Sequence, residues 1–195
     1  MKTIITISRE FGAGGSEIGR RLSEVLGIEY YDKDMVMRTA LMDPKLDSKM
    51  VNEWENRKAS PLSRLTGLFD QYTKPMDDHI WEAQKKAIYD MANKENCIIV
   101  GRNANYLLSD YDHVFRVFVY ADIDWRVNRL SQMTPDLSRE EILSKTRKID
   151  AIRKKNCEFY VGKKFGDSKG YDMTLNIGRI GIEKAVELIL KAMED

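Results

Sequence analysis

The feature that most constrains the fold is a glycine-rich turn near the start of this 195-residue chain. A β-branched run at residues 3–7 leads into it, and an amphipathic stretch follows the turn Gly12-Ala13-Gly14-Gly15-Ser16. Glycines let backbone N–H groups approach an anion closely, and a helix N-terminus adds positive potential. This order predicts a strand, a phosphate-binding turn and a helix, although such turns also join strands to helices without binding a ligand.

One charge that such a turn normally carries is absent. The common phosphate-binding pattern reads G-x-x-x-x-G-K-[S/T]. In the window 9–16, Arg9 replaces the first glycine and Gly15 replaces the lysine, while Gly14 and Ser16 match. A dinucleotide-binding turn is the alternative, but Gly19 falls two residues beyond its third glycine position. We therefore expect residues 12–16 to bind the phosphates of ATP, with Ser16 on the Mg²⁺ ion that the nucleotide brings.

The composition limits the classes of function. The chain is 43% hydrophobic and 32% charged, and its 32 basic and 31 acidic residues leave a net charge of +1. A balance of this kind gives no global field for nucleic acid. Two cysteines and two histidines make no zinc set and favour a reducing, cytoplasmic compartment. The first apolar stretch is too short for a signal peptide or a membrane span, so we expect no membrane partner. From the charge balance we expect no nucleic-acid partner. We expect a monomer or a homodimer.

Short apolar strands alternate with helical patterns, which predicts an α/β protein with a parallel sheet. The five predicted strands cover residues 4–7, 28–31, 97–100, 113–120 and 173–177. The first predicted helix runs from Ser16 to a stop at Gly27, and the second from a cap at Asp34 to residue 41. A third covers residues 77–93, and a fourth begins at Asp122. A fifth runs from the Ser138 capping box to about residue 159, and the last covers residues 182–193.

Polar residues follow the predicted strands at their carboxyl ends, where parallel sheets bind ligands. They are Arg9, Asp32, Arg102 and Asn176. Arg102 lies in the turn Gly101-Arg102-Asn103, where an idle and a functional arginine are equally consistent with the sequence. Arg38 lies one turn into the second helix and can reach the cleft, although on spacing alone a solvated arginine is the simpler interpretation.

Together these segments resemble the cytidylate kinase-like branch of the P-loop nucleoside monophosphate kinases. The resemblance is carried by residues 7–15, 31–33 and 98–102, by Asp150-x-x-Arg153, and by residues 171–176. It covers nearly the whole chain and is weakest at residues 45–74. It implies the P-loop NTPase three-layer fold, with a core at 1–32, 96–135 and 170–195, a helical acceptor-binding insertion at 33–95 and a helical lid at 136–169.

The resemblance also implies roles for single residues. Asp32 would open the acceptor-binding segment and orient the acceptor, and Arg38, six residues later, would hold the acceptor phosphate. Arg102 would contact the acceptor, with Asn103 in place of the family's usual aspartate. The arginine-rich lid would contribute Arg147 and Arg153, with Arg126 and Arg129 just before it. We hypothesise that Arg9, Arg147 or Arg153 replaces the charge of the missing lysine.

The leading functional prediction is phosphoryl transfer from ATP, with Mg²⁺, to a nucleoside monophosphate, first of all CMP or dCMP. Asn103 and the segment Asn176-Ile177-Gly178, where the family usually has Asn-Thr-Ser, leave open a kinase for another small acceptor. The absent lysine leaves open a nucleotide-binding regulatory protein without turnover. Trp81 and Trp125 are expected to pack in the core.

Overall fold

The computed structural model describes residues 3–44, residue 46 and residues 78–194. Its strands are β1 (Ile4–Arg9), β2 (Glu29–Tyr31), β3 (Cys97–Val100), β4 (Val114–Tyr120) and β5 (Met173–Asn176). Its helices are α1 (Gly15–Leu26), α2 (Lys33–Leu41), α3 (Asp78–Lys94), α4 (Ala104–Leu107), α5 (Ile123–Met133), α6 (Arg139–Val161) and α7 (Ile177–Ala192). The strands form one parallel sheet in the order β2-β3-β1-β4-β5.

The sheet lies between two layers of helices. All six residues of β1 are buried, as expected for a central strand covered on both faces. Ile5 and Ile7 pack with Ile18 of α1 and with α7, whereas Ile4 packs on the opposite face with Ile88 of α3. The predicted α/β three-layer architecture is therefore confirmed, with the glycine turn at the carboxyl end of the central strand.

The predicted second-helix cap is wrong by two residues. Asp32, not Asp34, caps α2: its Oδ1 accepts hydrogen bonds from the backbone N–H groups of Asp34 at 2.8 Å and Met35 at 2.9 Å. Either acid is a good cap by type, so the sequence did not discriminate between them. The carboxylate that the sequence assigned to the acceptor thus also fixes the start of α2.

Other helix boundaries agree more closely with the sequence. Gly27, at φ 63°, ends α1, and the Ser138–Glu141 capping box begins α6, both as predicted. The last helix begins at Ile177 rather than at residue 182. A non-helical Gly181 (φ 78°, ψ 169°) interrupts it, which explains why the helical periodicity became clear only after that residue.

In the described part of the predicted insertion, α2 and α3 pack through Ala40, Ala83 and Ala87. The remainder of the predicted helical region, residues 47–77, lies outside the described residues. Among the helices that are described, none combines the length and the apolar character needed to span a bilayer.

Gly19 provides a test of packing between α1 and the sheet. A Cβ there would lie 2.9 Å from both Tyr30 Cε2 and Val100 Cγ2, whereas one at Gly178 of α7 would make its closest contacts at 3.3–3.5 Å. Both alanine variants gain helix propensity, so we expect Gly19→Ala to be less stable than Gly178→Ala by about 1–3 kcal/mol through overpacking alone. Urea unfolding of the two variants measures this difference, and equal stabilities would contradict the packing described here.

Candidate active site

The glycine turn forms a cradle at the N-terminus of α1. Gly12 (φ 81°) and Gly14 (φ 87°) have left-handed backbones, and Gly14 is the N-cap of the helix without a side-chain cap. A Cβ would approach Leu130 Cδ1 to 2.9 Å at Gly12 and Ile182 Cδ1 to 3.0 Å at Gly14. Space and backbone angle both favour glycine here, so main-chain N–H groups are presented as an anion site requires.

The side chain of Arg9 covers the position at which the usual P-loop lysine would begin. Gly15 is buried, and a Cβ on it would lie 2.9 Å from both Cβ and Cγ of Arg9 and 3.2 Å from Val119 Cγ2. The stem of Arg9 therefore covers the space into which a side chain at position 15 would extend. The absence of the lysine and the presence of Arg9 are linked by packing.

The charged end of Arg9 points toward β3. Arg9 is only 9% exposed, and its guanidinium lies so close to Gly101 that any side chain at position 101 would overlap with it. Gly101 also has a left-handed backbone, at φ 85°. The glycine after β3 is thus needed both for its backbone angle and for the close approach of Arg9.

The turn after β3 is strained. Arg102 and Asn103 follow Gly101, both at φ 57°, and they are the only non-glycine residues with positive φ in the described ranges. Asparagine tolerates this region, but an arginine rarely adopts it, and such strain concentrates at functional sites. The turn directs both side chains into a cavity beside the end of the sheet.

This strand-end cavity encloses about 540 Å³ including its open mouth. It brings together the predicted residues Arg9, Arg102, Asn103 and Arg153 with residues the sequence analysis did not assign to the site: Ser8, Lys33, Trp81, Gly101, Asn156 and Phe165. Its lining within the described residues is cationic, amide-bearing and aromatic, and includes no carboxylate. Such a surface suits a small anionic ligand with a flat ring.

Trp81 both packs against another aromatic ring and lines the strand-end cavity. It is buried and stacks on Tyr160 with ring centroids 4.7 Å apart, so the prediction that it packs in the core is confirmed. It also lines the strand-end cavity, as does Phe165 of the segment after α6. From the sequence, the only indication of a role in the cavity was that Trp81 lies near the start of a predicted helix; in the structure it is the fourth residue of α3.

A second cavity, the glycine-loop cavity, holds about 1350 Å³ including open solvent. Gly12, Gly14, Gly15 and Ser16 line it, as predicted for a phosphate site. Arg129 lines it too, and donates from Nη2 to Glu17 Oε2 at 2.7 Å. Three cationic residues line both cavities: Arg9, Lys33 and Arg153.

Helix α6 is fastened to the glycine turn by two residues three positions apart. Asp150 Oδ1 accepts from the Phe11 N–H at 2.8 Å, and Arg153 Nη1 donates to the Arg9 carbonyl at 2.8 Å. The Arg153 guanidinium also lies 5.5 Å from the centre of the Phe11 ring, within cation–π range. The sequence-predicted pair Asp150-x-x-Arg153 therefore holds the backbone on either side of residue 10.

Arg126 reinforces this attachment. It is buried, and its Nη1 donates to Asp150 Oδ2 at 2.6 Å and to the Phe11 carbonyl at 2.9 Å, while Nε donates to the Ala121 carbonyl at 2.8 Å. Its Nε also lies 3.4 Å from Glu10 Oε2. Burial raises the pKa of Glu10, and the charge of Arg126 opposes that rise. Arg126, predicted as a lid candidate, thus braces the loop from inside.

Two predicted arginines lie away from this arrangement. Arg38 on α2 and Arg147 on α6 are exposed, and neither lines the two cavities. Helical spacing alone could not decide which face they occupy. The structure thus unites Arg9, Arg102, Asn103 and Arg153 around one cavity and leaves Arg38 and Arg147 outside it.

Ser16, Glu10 and Glu17 line the glycine-loop cavity with oxygen atoms, the ligand type that suits a hard cation such as Mg²⁺. Both carboxylates are paired with arginines: Glu17 with Arg21 and Arg129, and Glu10 with Arg126. Over residues 3–44, 46 and 78–194, no group of three histidine, cysteine or acidic residues forms a metal cluster. A Mg²⁺ ion would therefore depend on the phosphates for most of its ligands, as expected for a metal that arrives with a nucleotide.

A family model described as the cytidylate kinase-like family matches residues 4–179. The chain belongs to the cytidylate kinase-like family. The match includes the glycine turn, the turn after β3, the fastened helix α6 and β5, so it covers both cavities. Among curated family relatives, cytidylate kinases of Archaeoglobus fulgidus and Methanothrix thermoacetophila are each 25% identical, over 97% of this chain and 94% and 97% of their own lengths.

Solved structures agree on the fold of this family member. An uncharacterised protein from Eubacterium ventriosum is 26% identical, with a TM-score of 0.76 over 100% of this chain and 99% of its own. A gluconokinase from Sinorhizobium meliloti (12% identical, TM-score 0.58, covering 99% and 94%) and a shikimate kinase from Acinetobacter baumannii in complex with shikimate (14%, 0.56, 100% and 94%) share the fold alone. The kinase-like family and the fold both support a phosphotransferase with a P-loop architecture.

Proposed function

We propose that the protein transfers the γ-phosphoryl group of ATP to a small anionic acceptor, with nucleoside monophosphates, and CMP and dCMP among them, as the first candidates. The observation that carries this proposal is the junction of the two cavities. A glycine cradle on one side and a carboxylate-free cationic cavity on the other meet at Arg9, Lys33 and Arg153. That arrangement suits a donor and an acceptor whose phosphates face each other.

The chemistry requires position and charge more than covalent help from the protein. An oxygen of the acceptor phosphate forms a bond to the γ-phosphorus, and the bond from that phosphorus to the β,γ-bridging oxygen breaks. The electron pair leaves on the bridging oxygen, giving ADP and a diphosphate product. In this proposal the glycine amides and the hydroxyl of Ser16 hold the donor phosphates, and Mg²⁺ supplies charge neutralisation there.

The lining of the strand-end cavity supports an anionic acceptor over an alcohol. A hydroxyl acceptor benefits from a general base within hydrogen-bond reach, whereas a phosphate oxygen already carries its charge. The described lining contains four cations and no carboxylate. Asp32, which directly precedes Lys33, uses Oδ1 to cap α2.

In this proposal Arg102 and Asn103 bind the acceptor together with the aromatic pair Trp81 and Phe165. The parts of the lid (136–169) that flank the Asp150 and Arg153 attachment would close over the acceptor. Closure would exclude water and favour transfer over hydrolysis.

A panel of acceptors tests the proposal. Purified protein with ATP and Mg²⁺ is expected to form ADP and a diphosphate product with at least one nucleoside monophosphate, and CMP or dCMP should give the highest kcat/KM. Product from shikimate, gluconate or another alcohol, with none from any monophosphate, would replace the anionic acceptor with a hydroxyl acceptor. ATP binding without product from either group would favour the regulatory alternative.

A further inference from the structure

Gly15 stands where the common P-loop pattern has its lysine. We infer that Lys33, the first residue of α2, is the ammonium group that contacts the β- and γ-phosphates of the donor. This inference rests on the proposed phosphoryl transfer and adds a catalytic residue to it. The hypothesis drawn from the sequence names only arginines, Arg9, Arg147 and Arg153, for the missing charge.

Position supports this role for Lys33. It lines both the glycine-loop cavity and the strand-end cavity, as a group at the boundary between donor and acceptor must. The Asp32 cap fixes the first turn of α2 through two hydrogen bonds, at 2.8 and 2.9 Å, so the backbone of Lys33 is held at the carboxyl edge of the sheet. A lysine with a fixed origin and a flexible stem behaves as a mobile point charge, which is the property of the usual P-loop lysine.

Arg9 occupies the lysine's space but directs its charge elsewhere. Its Cβ and Cγ cover Gly15, and its guanidinium lies against Gly101, which lines only the strand-end cavity. The Arg9 side chain lines both cavities, but its guanidinium end lies on the acceptor side of their junction, against Gly101. A second cation is needed on the donor side, where charge develops on the bridging oxygen as its bond to phosphorus breaks.

The other cations of the glycine-loop cavity are placed differently. Arg21 and Arg129 both pair with Glu17 in the first turn of α1. Arg153 uses Nη1 to hold the Arg9 carbonyl. Arg20 is exposed on α1 and does not line the strand-end cavity. Lys33 combines an ammonium group with access to both cavities.

The test compares Lys33→Met, which keeps the aliphatic stem, with Lys33→Arg, which keeps a charge, and with Lys191→Met on the exposed last turn of α7. We expect Lys33→Met to lower kcat by about 10²–10³-fold with a smaller change in the KM for the acceptor, as for loss of one transition-state contact. Lys33→Arg should recover part of that loss, and Lys191→Met should match the wild type. A Lys33→Met kcat within fivefold of wild type, with thermal unfolding unchanged, overturns the inference.

A second readout does not require turnover. Lysine acylation of the wild-type protein, followed by peptide mass spectrometry, should show Lys33 protected at least tenfold by Mg²⁺ with a non-hydrolysable ATP analogue, and Lys191 unprotected. Equal labelling of Lys33 with and without the analogue, under conditions where calorimetry detects its binding, overturns the inference. A protein that protects Lys33 yet phosphorylates no acceptor supports the contact and contradicts the proposed function instead. Absence of analogue binding contradicts both.

Discussion

Arg9→Met is expected to lower kcat by about 10³-fold or more, because one correctly placed cation contributes about 10³–10⁵ in related phosphoryl transfers. Arg9 is the residue whose stem replaces a side chain at Gly15 and whose guanidinium enters the strand-end cavity. Methionine keeps much of the stem that packs on Gly15 and removes only the charge. Steady-state kinetics with ATP and the best acceptor measure the effect.

Two further variants separate charge from packing. Arg9→Ala should match the low kcat of Arg9→Met and also lose stability, because truncation leaves a cavity over Gly15. Arg139→Ala, which removes an exposed arginine at the start of α6, should keep the wild-type kcat. If Arg9→Met retains a tenth or more of the wild-type kcat while remaining folded, Arg9 does not act on the transferring group.

Asp150→Ala is expected to destabilise the protein by about 3–5 kcal/mol, the usual loss when one partner of a buried ion pair is removed. The change removes the Asp150 carboxylate from Arg126, whose side chain is only 7% exposed, and leaves it Glu10 Oε2 at 3.4 Å. It also leaves the N–H of Phe11 without its acceptor. Chemical denaturation measures the loss. The glycine turn should also bind ATP more weakly, since Phe11, the residue before Gly12, loses one of its two hydrogen bonds to this attachment.

The chain offers a matched control. Asp124 and Arg139 form a pair at 2.6 Å, the distance found for Asp150 and Arg126, but their side chains are 78% and 48% exposed. Asp124→Ala should therefore cost less than about 1 kcal/mol. Similar losses for Asp124→Ala and Asp150→Ala would show that burial does not set the strength of the Asp150 pair.

The sheet and the meeting of polar residues at its edge were predictable because both depend on local patterns. The β-branched run before the glycine turn indicates a buried strand, and parallel strands bring Arg9 and Arg102 to the same edge. The helix boundary at Asp32 was less predictable, because Asp34 is an equally good cap by residue type.

Pairings between distant elements could not be predicted from one sequence. Arg126 looks like any lid arginine until Asp150, 24 residues later, is brought against it by the packing of α6 on α5. Lys33 carries a sequence signal, since it directly follows Asp32 at the carboxyl end of β2, but the hypothesis for the missing charge names only arginines. Phe165 and Asn156 carried none, as nothing local marks them as facing the cavity.

The packing of Arg9 on Gly15 makes an arginine at position 9 incompatible with a lysine at position 15. A lysine introduced at position 15 would strike the arginine stem, and an alanine at position 9 alone would remove one charge without supplying the other. Conversion to the usual lysine-bearing loop therefore passes through an impaired intermediate whichever substitution comes first. The pair Gly14-Gly15 is thus retained because Arg9 packs on it, and no single substitution restores the lysine-bearing loop without a loss.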